Sequence, residues 1–419
     1  MPFSIINLCI KNLAGSGIIR AKYPVSLEVM IYEMKCLSII LFVIFFSACG
    51  YCQSLLHPEY IEIDFHSGYL VKNYPAFPER LNNPYLIALH SGIRLNGNRF
   101  WHRFYRYPVF SFQAGYCNLG NDKVLGDIYF LVPELAFSQK AGSKFYVEER
   151  LGLGLAYFTK PFDPLINETN TLTGSRITFM PAASLALGYV ISKSVSVFAN
   201  INIHHGSNSH YKLPNLGANI PSAGIGIKYA APCAKSVREH DAFITDKRFH
   251  FNLRTAVGIN QRGGTTDYVG NKHYGIYLLQ AYMSRNYHEI TRYQIGLEAY
   301  YNSGVYDTIL TTKFYAKDQR MKASSFLFIL GHEFLIGHFS LCTQGGIFIY
   351  NPYHRDIQKI RHETNAITKM ESLFLARIGI NYYLKNAILT SHHQLFAGIF
   401  IKTNCGRADF LESTIGFMF

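Results

Sequence analysis

The pair of side chains best suited to chemistry in this sequence is a histidine and a serine two residues apart, His205 and Ser207. They follow the segment 195–203, in which every second residue, from Val195 to Ile203, is apolar. In a β-strand, residues two apart share a face, so the imidazole and the hydroxyl are expected side by side at the end of an apolar stripe. A base beside a hydroxyl suits a nucleophile and its general base, directed here at an apolar substrate.

The segment that returns from this strand offers further candidates for the site. It contains Pro214-Asn215-x-Gly217-x-Asn219. If residue 219 pairs with 205 in an antiparallel register, 221 pairs with 203 and 223 with 201, and Asn219 lies directly across from His205. His204 has the opposite parity, so we expect it to point to the other face of the sheet.

The composition favours a membrane β-barrel. The 419 residues are 49% hydrophobic and 15% aromatic, and only 16% are charged. After an N-terminal leader, no apolar run approaches the roughly 18 residues of a helical span. A closed barrel is then the remaining way to cross a bilayer. The net charge of +13 is spread without a dense basic tract, which favours anionic lipid headgroups over nucleic acid as partners.

From Glu59 to Phe419 the sequence alternates in about sixteen short strands, whose connections are alternately short and long. The long ones are 159–174, 305–322 and 351–368. If the odd strands rise from the periplasm, His205 and Ser207 emerge at the external rim. The predicted fold class is all-β, a transmembrane antiparallel β-barrel of about 16 strands. We favour a single barrel, with two eight-stranded barrels in tandem as the alternative.

The predicted organisation has four parts. They are a leader (1–52), a barrel segment with the catalytic hairpin (53–230), a charged connecting segment (231–247) and further barrel strands (248–419). Within the leader, the basic residue and short apolar run that follow Met34 are typical of a secretory signal. We therefore expect translation to begin at Met34 and the signal to occupy 34–52. The mature chain then starts at a lipidated Cys49 or at Gln53.

The eight cysteines predict neither a metal site nor a disulfide framework. Four of them lie in or before the leader. The other four are far apart and lack a Cys-x-x-Cys or Cys/His ligand spacing; they are Cys117, Cys233, Cys342 and Cys405. We expect no cofactor and no metal.

The candidate residues also carry a family resemblance. His205-Gly206-Ser207-Asn208, followed by Pro214-Asn215-x-Gly217, resembles the active-site stretch of the outer-membrane lipid A deacylase family often called PagL. The segment Gly152 to Asp163 is similar to a strand and loop of larger relatives described as acyloxyacyl hydrolases. The specific resemblance covers about 145–230, and residues 248–419 have no counterpart in the compact members.

The resemblance implies a serine esterase whose catalytic residues face lipid. By this comparison Ser207 is the nucleophile and His205 is the general base. Asn208 and Asn215 become candidate donors to the oxyanion. The family's third catalytic residue is a glutamate, and the matching residue here is Asn219. An amide oxygen can orient an imidazole, but it carries no charge to stabilise an imidazolium.

Several functions remain open at this point. The implied activity is removal of an ester-linked acyl chain from lipid A or a related lipid of the outer leaflet, in the cell outer membrane. The alternatives are a phospholipase, a catalytically inactive barrel, or a passive pore or transporter. A wide charged lumen would indicate a pore, whereas a distance of about 3 Å between His205 Nε2 and Ser207 Oγ would indicate the esterase. The acyl position and the oligomeric state are left open.

Overall fold

The computed structural model describes residues 58–419, except 73, 74, 76, 80, 96, 98, 231–245, 363, 364, 386, 388–392, 405 and 406. The described residues belong to one compact unit. They form sixteen β-strands, arranged in two closed antiparallel barrels. The expected leader, with Met34, Cys49 and Gln53, lies outside the described residues.

The first barrel closes where its last strand pairs with its first, from Tyr60 opposite Ala230 to Gly68 opposite Ser222. Its eight strands follow one another in chain order around the barrel. They are β1 (Tyr60–Gly68), β2 (Tyr85–Arg94), β3 (Val109–Asn118), β4 (Asp127–Ala141), β5 (Phe145–Phe158), β6 (Ile177–Val190), β7 (Val195–Gly206) and β8 (Ala218–Ala230).

The second barrel closes in the same way, from Leu411 opposite Ile259 to Met418 opposite Asn252. Its strands also follow chain order. They are β9 (Phe249–Asn260), β10 (Tyr274–His288), β11 (Thr291–Asn302), β12 (Ser324–Ile336), β13 (Phe339–Tyr350), β14 (Phe374–Tyr383), β15 (Gln394–Asn404) and β16 (Arg407–Met418).

The strand count predicted from the sequence is confirmed, but the preference for one large barrel is wrong. The tandem alternative is the observed fold, because β8 hydrogen-bonds to β1 and leaves no free edge for β9. The segment 231–247 therefore connects two barrels and is not an insertion within one, although residues 231–245 are themselves outside the described part of the chain.

The outer face of the barrel wall is apolar. Along the hairpin of β7 and β8, Ile201, Ile203 and Ile225 are 49–70% exposed. On β6 the same alternation leaves Leu187 exposed and buries Thr178. Such outward apolar side chains match a bilayer. Among the described residues, no helix has the length and apolarity needed to cross a membrane.

The interiors of both barrels contain buried charged pairs beside apolar side chains. In the first barrel, Arg150 donates to both oxygens of Glu62 at 2.6 and 2.7 Å. In the second, Arg377 donates to both oxygens of Glu298 at 2.6 and 2.9 Å. These bidentate, charge-assisted bonds compensate for the desolvation of the buried ions. An eight-stranded barrel is narrow enough for side chains to fill it in this way.

In the described connections between strands there are five helices. A short helix, α1 (Phe100–Phe104), lies between β2 and β3. The loops expected at 305–322 and 351–368 carry the other four, which are α2 (Ser303–Thr312), α3 (Gln319–Lys322), α4 (Pro352–Ile360) and α5 (Ala366–Leu373). The Asn302 side chain caps α2 by accepting hydrogen bonds from two backbone amides of its first turn.

The two barrels touch at both ends. At the end that carries Ser207, called here the Ser207 rim, the loop after β7 contacts the loop after β9. At the opposite rim, Trp101 of α1 packs against the turn at Gly337 of the second barrel. Gly337 has φ +65°, and a Cβ added there would lie 2.7 Å from Trp101 Nε1. The turn therefore needs glycine, both for its backbone conformation and for this close approach.

Candidate active site

The candidate residues lie at the end of the hairpin formed by β7 and β8. His205 is the penultimate residue of β7, which ends at Gly206. Ser207 continues the strand direction, since its backbone exchanges two hydrogen bonds with Phe179. The exposed face of Ile201 and Ile203 leads directly to His205. The site is therefore at the edge of the apolar band on the barrel wall.

His205 is held by the residue opposite it. Asn219 is its Cα partner in the antiparallel register, and Asn219 Oδ1 lies 2.7 Å from His205 Nδ1. With the amide oxygen as acceptor, Nδ1 carries the proton and donates it. The lone pair is then on Nε2, which is the tautomer that a general base requires. The registers predicted for 203 with 221 and for 201 with 223 are also present.

The Ser207 hydroxyl is surrounded by donors. Asn215 Nδ2 donates to Ser207 Oγ at 3.0 Å, and the Ser209 backbone amide donates to the same oxygen at 3.3 Å. Ser207 and Asn215 are both buried, at 8% and 6% exposure. Two N–H groups thus donate to the hydroxyl oxygen and fix its position.

The structure does not join the histidine to the serine. Within the part of the chain that the structure describes, no hydrogen bond links His205 to Ser207 Oγ. The two residues share the rim and the parity predicted from the sequence. The hydrogen bond of about 3 Å that would mark a preformed pair is not present between them. Catalytic hydrogen bonds are often long in the absence of substrate and shorten in the Michaelis complex.

Asn208 braces the loop. Its side-chain amide donates to Ser175 Oγ at 3.0 Å and to the Lys212 carbonyl at 2.6 Å. Its backbone N–H donates to Asn215 Oδ1 at 3.2 Å. The donors of Asn208 are thus engaged by Ser175, Lys212 and Asn215, and its backbone bond orients the Asn215 amide toward Ser207. Of the two predicted oxyanion donors, Asn215 is the one directed at the serine.

Gly217 makes room for the histidine ring. It has φ +74°, and a Cβ added there would lie 3.0 Å from His205 Cε1. Any side chain would therefore strain the backbone and crowd the imidazole. His204, with the opposite parity, is buried inside the barrel, where its Nε2 lies 3.3 Å from Gln113 Oε1.

Potential metal ligands occur in the interior of the first barrel. Glu62, Asp64 and His90 could each offer one ligand atom, and these atoms lie within 4.8 Å of one another. Glu62 is already bound to Arg150, and His90 Nδ1 lies 2.8 Å from Glu134. These contacts describe a buried ionic network. Cys117 and Cys342 are free and buried, whereas Cys233 and Cys405 are outside the described residues.

Sequence reasoning missed the contribution of the second barrel to this site. The Gln261 side chain accepts a hydrogen bond from the Leu213 amide at 2.8 Å. The Thr265 carbonyl accepts one from the Asn215 amide at 2.7 Å. Both partners lie in the loop that contains Ser207 and Asn215. No periodic pattern in the sequence relates these segments, because the contact arises from the packing of two separately closed barrels.

Comparisons with known proteins bear on the identity of the chain. Residues 89–230 match the family model described as lipid A 3-O-deacylase (PagL). Residues 249–419 match the model described as acyloxyacyl hydrolase, C-terminal domain. From the sequence alone, we expect no counterpart of the C-terminal segment in the compact members of the family. This segment matches a separate family model of its own. No curated protein matches the chain.

Solved structures with similar folds include two small barrels. The outer membrane enzyme PagL is 16% identical, with a TM-score of 0.28, and the match covers 41% of this chain and 99% of that one. Neisserial surface protein A (NspA) is 14% identical, with a TM-score of 0.26, and the match covers 41% of this chain and 96% of that one. By these two matches, most of the first barrel is similar to the lipid A 3-O-deacylase (PagL) family, and the second barrel is similar to the C-terminal domain of acyloxyacyl hydrolases.

Proposed function

We propose that the protein is a serine esterase of the outer membrane that removes an ester-linked acyl chain from lipid A or a related lipid. The observation that carries this proposal is the set of three hydrogen bonds at the Ser207 rim. Asn219 holds His205 in the tautomer of a base, and Asn215 and the Ser209 amide converge on Ser207 Oγ. The match to the lipid A 3-O-deacylase model supports the substrate class.

In the proposed reaction, Ser207 Oγ attacks the ester carbonyl carbon, and its proton passes to His205 Nε2. The carbonyl oxygen becomes an oxyanion, which Asn215 Nδ2 and the Ser209 amide stabilise. Collapse of this intermediate breaks the bond to the leaving alcohol, which takes the proton from His205. A water molecule, deprotonated by His205, then hydrolyses the acyl-serine and restores the enzyme.

The location of the site suits a membrane-embedded substrate. The acyl chain can lie along the exposed apolar side chains of β7, whose end is His205. The ester then reaches the rim, where water is available for the second step. A soluble ester would gain nothing from the neighbouring apolar stripe, so long-chain lipid esters are the expected substrates.

Of the alternatives, a catalytically inactive barrel has specific support. Asn219 replaces a carboxylate, and the described site lacks a bond between His205 and Ser207. An open pore is less consistent with the structure, because buried apolar side chains and bidentate pairs such as Arg150 with Glu62 occupy the interior. A phospholipase would use the same residues and differ only in the lipid bound.

The deciding experiment compares lipid A from cells with the intact gene, without the gene and with Ser207→Ala. Mass spectrometry should detect loss of one acyl chain only with the intact gene. A phospholipid assay on the same membranes distinguishes a lipid A esterase from a phospholipase, which would remove acyl chains from phospholipids instead. If lipid A and phospholipids are identical in all three strains, the inactive-barrel alternative replaces the proposal.

A further inference from the structure

Two loops from different barrels meet at the candidate active site. We call residues 207–217 the active-site loop and residues 261–273 the supporting loop. Three hydrogen bonds join them. The Gln261 amide donates to the His210 carbonyl at 3.1 Å, and Gln261 Oε1 accepts from the Leu213 amide at 2.8 Å. The Thr265 carbonyl accepts from the Asn215 amide at 2.7 Å.

The contact is buried and closely packed. Gln261 and Leu213 are both fully buried. A Cβ added at Gly263 would lie 3.1 Å from Leu213 Cδ1, so the backbone of the supporting loop lies against this side chain. Gln261 Nε2 donates to the Gly270 carbonyl at 2.9 Å, which holds the side chain in place. A buried amide with both ends satisfied can fix the position of its partners.

The active-site loop needs such support because two of its residues have an unfavourable backbone conformation. Ser209 has φ +55° and His210 has φ +67°, a region that residues other than glycine rarely occupy. Conformations of this kind persist only where surrounding contacts hold them. One of those contacts is the bond from the Gln261 amide to the His210 carbonyl, immediately after the strained pair.

Both donors to Ser207 Oγ depend on this part of the loop. The Ser209 amide belongs to the strained pair. The Asn215 side chain follows Leu213 by two residues and is anchored through its backbone to Thr265. The supporting loop therefore holds the segment from Ser209 to Asn215, which presents these N–H groups, at three points within it: His210, Leu213 and Asn215. A displacement of about 1 Å in such donors is enough to lower catalysis strongly.

We infer that the second barrel is a positioning element for the esterase, and that Gln261 is its principal positioning residue. This inference rests on the proposed function. Gln261 touches neither Ser207 nor His205, and it acts by holding the loop that carries the oxyanion donors. Without it, substrate can still bind along the barrel wall, but the donors are less well placed in the transition state. The expected result is a fall in kcat with little change in KM.

The test compares three single variants in detergent micelles with one long-chain lipid ester. Gln261→Ala removes the acceptor for the Leu213 amide, whereas Gln261→Glu retains an oxygen at that position. Gln280→Ala is the matched control, since Gln280 is an equally buried glutamine of the second barrel that bonds to Glu298 and Gln344 inside it. Heat-dependent gel mobility verifies that each variant is folded. Hydrogen exchange over residues 208–216 reports on the loop independently of activity.

We expect Gln261→Ala to lower kcat about tenfold, the effect of one lost buried hydrogen bond. KM should change less than twofold, and exchange at Leu213 should become faster. Gln261→Glu keeps the acceptor for the Leu213 amide but loses the donor to the Gly270 carbonyl, so its kcat should fall less than that of Gln261→Ala. Gln280→Ala should leave both kcat and loop exchange unchanged.

Two outcomes would overturn the positioning role while the proposed function stands. One is faster exchange in Gln261→Ala with an unchanged kcat. The other is an equal loss of kcat in Gln280→Ala, which would indicate general loosening of the second barrel. If the wild-type protein hydrolyses no lipid ester, the proposed function fails and the catalytic role of Gln261 fails with it. The exchange data would then report only how the two loops are joined.

Discussion

Asn219 lies directly opposite His205 in the antiparallel pair of β7 and β8, with its amide oxygen 2.7 Å from His205 Nδ1. The bond orients the ring and selects the tautomer with a free Nε2. It does so without a negative charge, so in the proposed reaction the imidazolium would be less stabilised than beside a carboxylate. A carboxylate would both orient the His205 ring and stabilise its positive charge, whereas Asn219 provides only the orientation.

The separation can be measured by changing residue 219. Asn219→Ala should lower the rate roughly ten- to a thousandfold, because the imidazole loses its acceptor, a loss of about 1.4 to 4 kcal/mol in transition-state stabilisation. Asn219→Glu should raise the rate, because an anion opposite His205 increases its basicity. Initial rates on one lipid substrate, with folding verified by heat-dependent mobility, give the comparison. Asn200→Ala is a control, since Asn200 bonds to Asp64 in the barrel interior. Equal rates for all variants would exclude residue 219 from the site.

The roles assigned to Ser207 and His205 predict a non-additive pattern. Ser207→Ala and His205→Ala should each abolish ester hydrolysis, and the double variant should be little worse than either single one. Both residues lie at the rim, so the barrel should still fold. Ser196→Ala, at the other end of β7, is a control that should retain activity. Undiminished deacylation by Ser207→Ala would remove the nucleophile assignment.

Gly217 offers a steric test of the histidine position. Gly217→Ala should lower activity about tenfold or more, because the added Cβ lies 3.0 Å from His205 Cε1 and displaces the ring. Gly142→Ala is the matched control. Gly142 also has a positive φ, of +91°, but a Cβ there would meet nothing within 4 Å. Both substitutions carry a backbone cost, so a similar loss of activity in the two variants would contradict the steric account.

His102 in α1 predicts a pH dependence of stability. Burial, reinforced by the nearby Arg99, lowers the pKa of His102 to about 4. In the unfolded chain the pKa is about 6.5. Since the folded pKa is the lower of the two, the contribution to stability is complete above about pH 6.5 and is lost as the pH falls toward 4.

The unfolding temperature, followed by gel mobility, should therefore be lower at pH 5 than at pH 7.5. The difference should be smaller in His102→Gln, which cannot be protonated. Because other groups titrate in this range as well, the quantity to compare is the change in unfolding temperature between the two pH values, in the wild type and in His102→Gln. An identical pH dependence in wild type and variant would contradict the assignment to His102.

The hairpin geometry could be predicted because it depends on a period of two. The parity of Val195 to Ile203 determines that His205 faces outward and His204 inward, and antiparallel pairing then places Asn219 opposite His205. The number of barrels could not be predicted in this way. Alternation identifies the strands, but it does not decide whether β8 pairs with β1 or with β9, since either partner would satisfy the same pattern.

The helices in the long connections have local sequence signals at their N-termini, which an analysis of strand periodicity does not detect. Asn302 precedes α2 as a capping residue, and Pro352 stands at the start of α4, both of which are common at helix N-termini. The contact of Gln261 with Leu213 had no such signal. It depends on how two closed barrels meet, which neither residue reveals in sequence.

The pairing of β1 with β8 and of β9 with β16 has a consequence for biogenesis. Each barrel has its own seam, where its first and last strands join, so insertion into the membrane requires two closure events in one chain. The last strands of both barrels end alike, with outward aromatic or aliphatic residues such as Tyr229 in the first and Ile415 in the second. The first barrel contains every strand needed for its own seam by residue 230. Assembly can thus proceed one barrel at a time, and the active-site loop acquires its contacts with the second barrel only in the last stage.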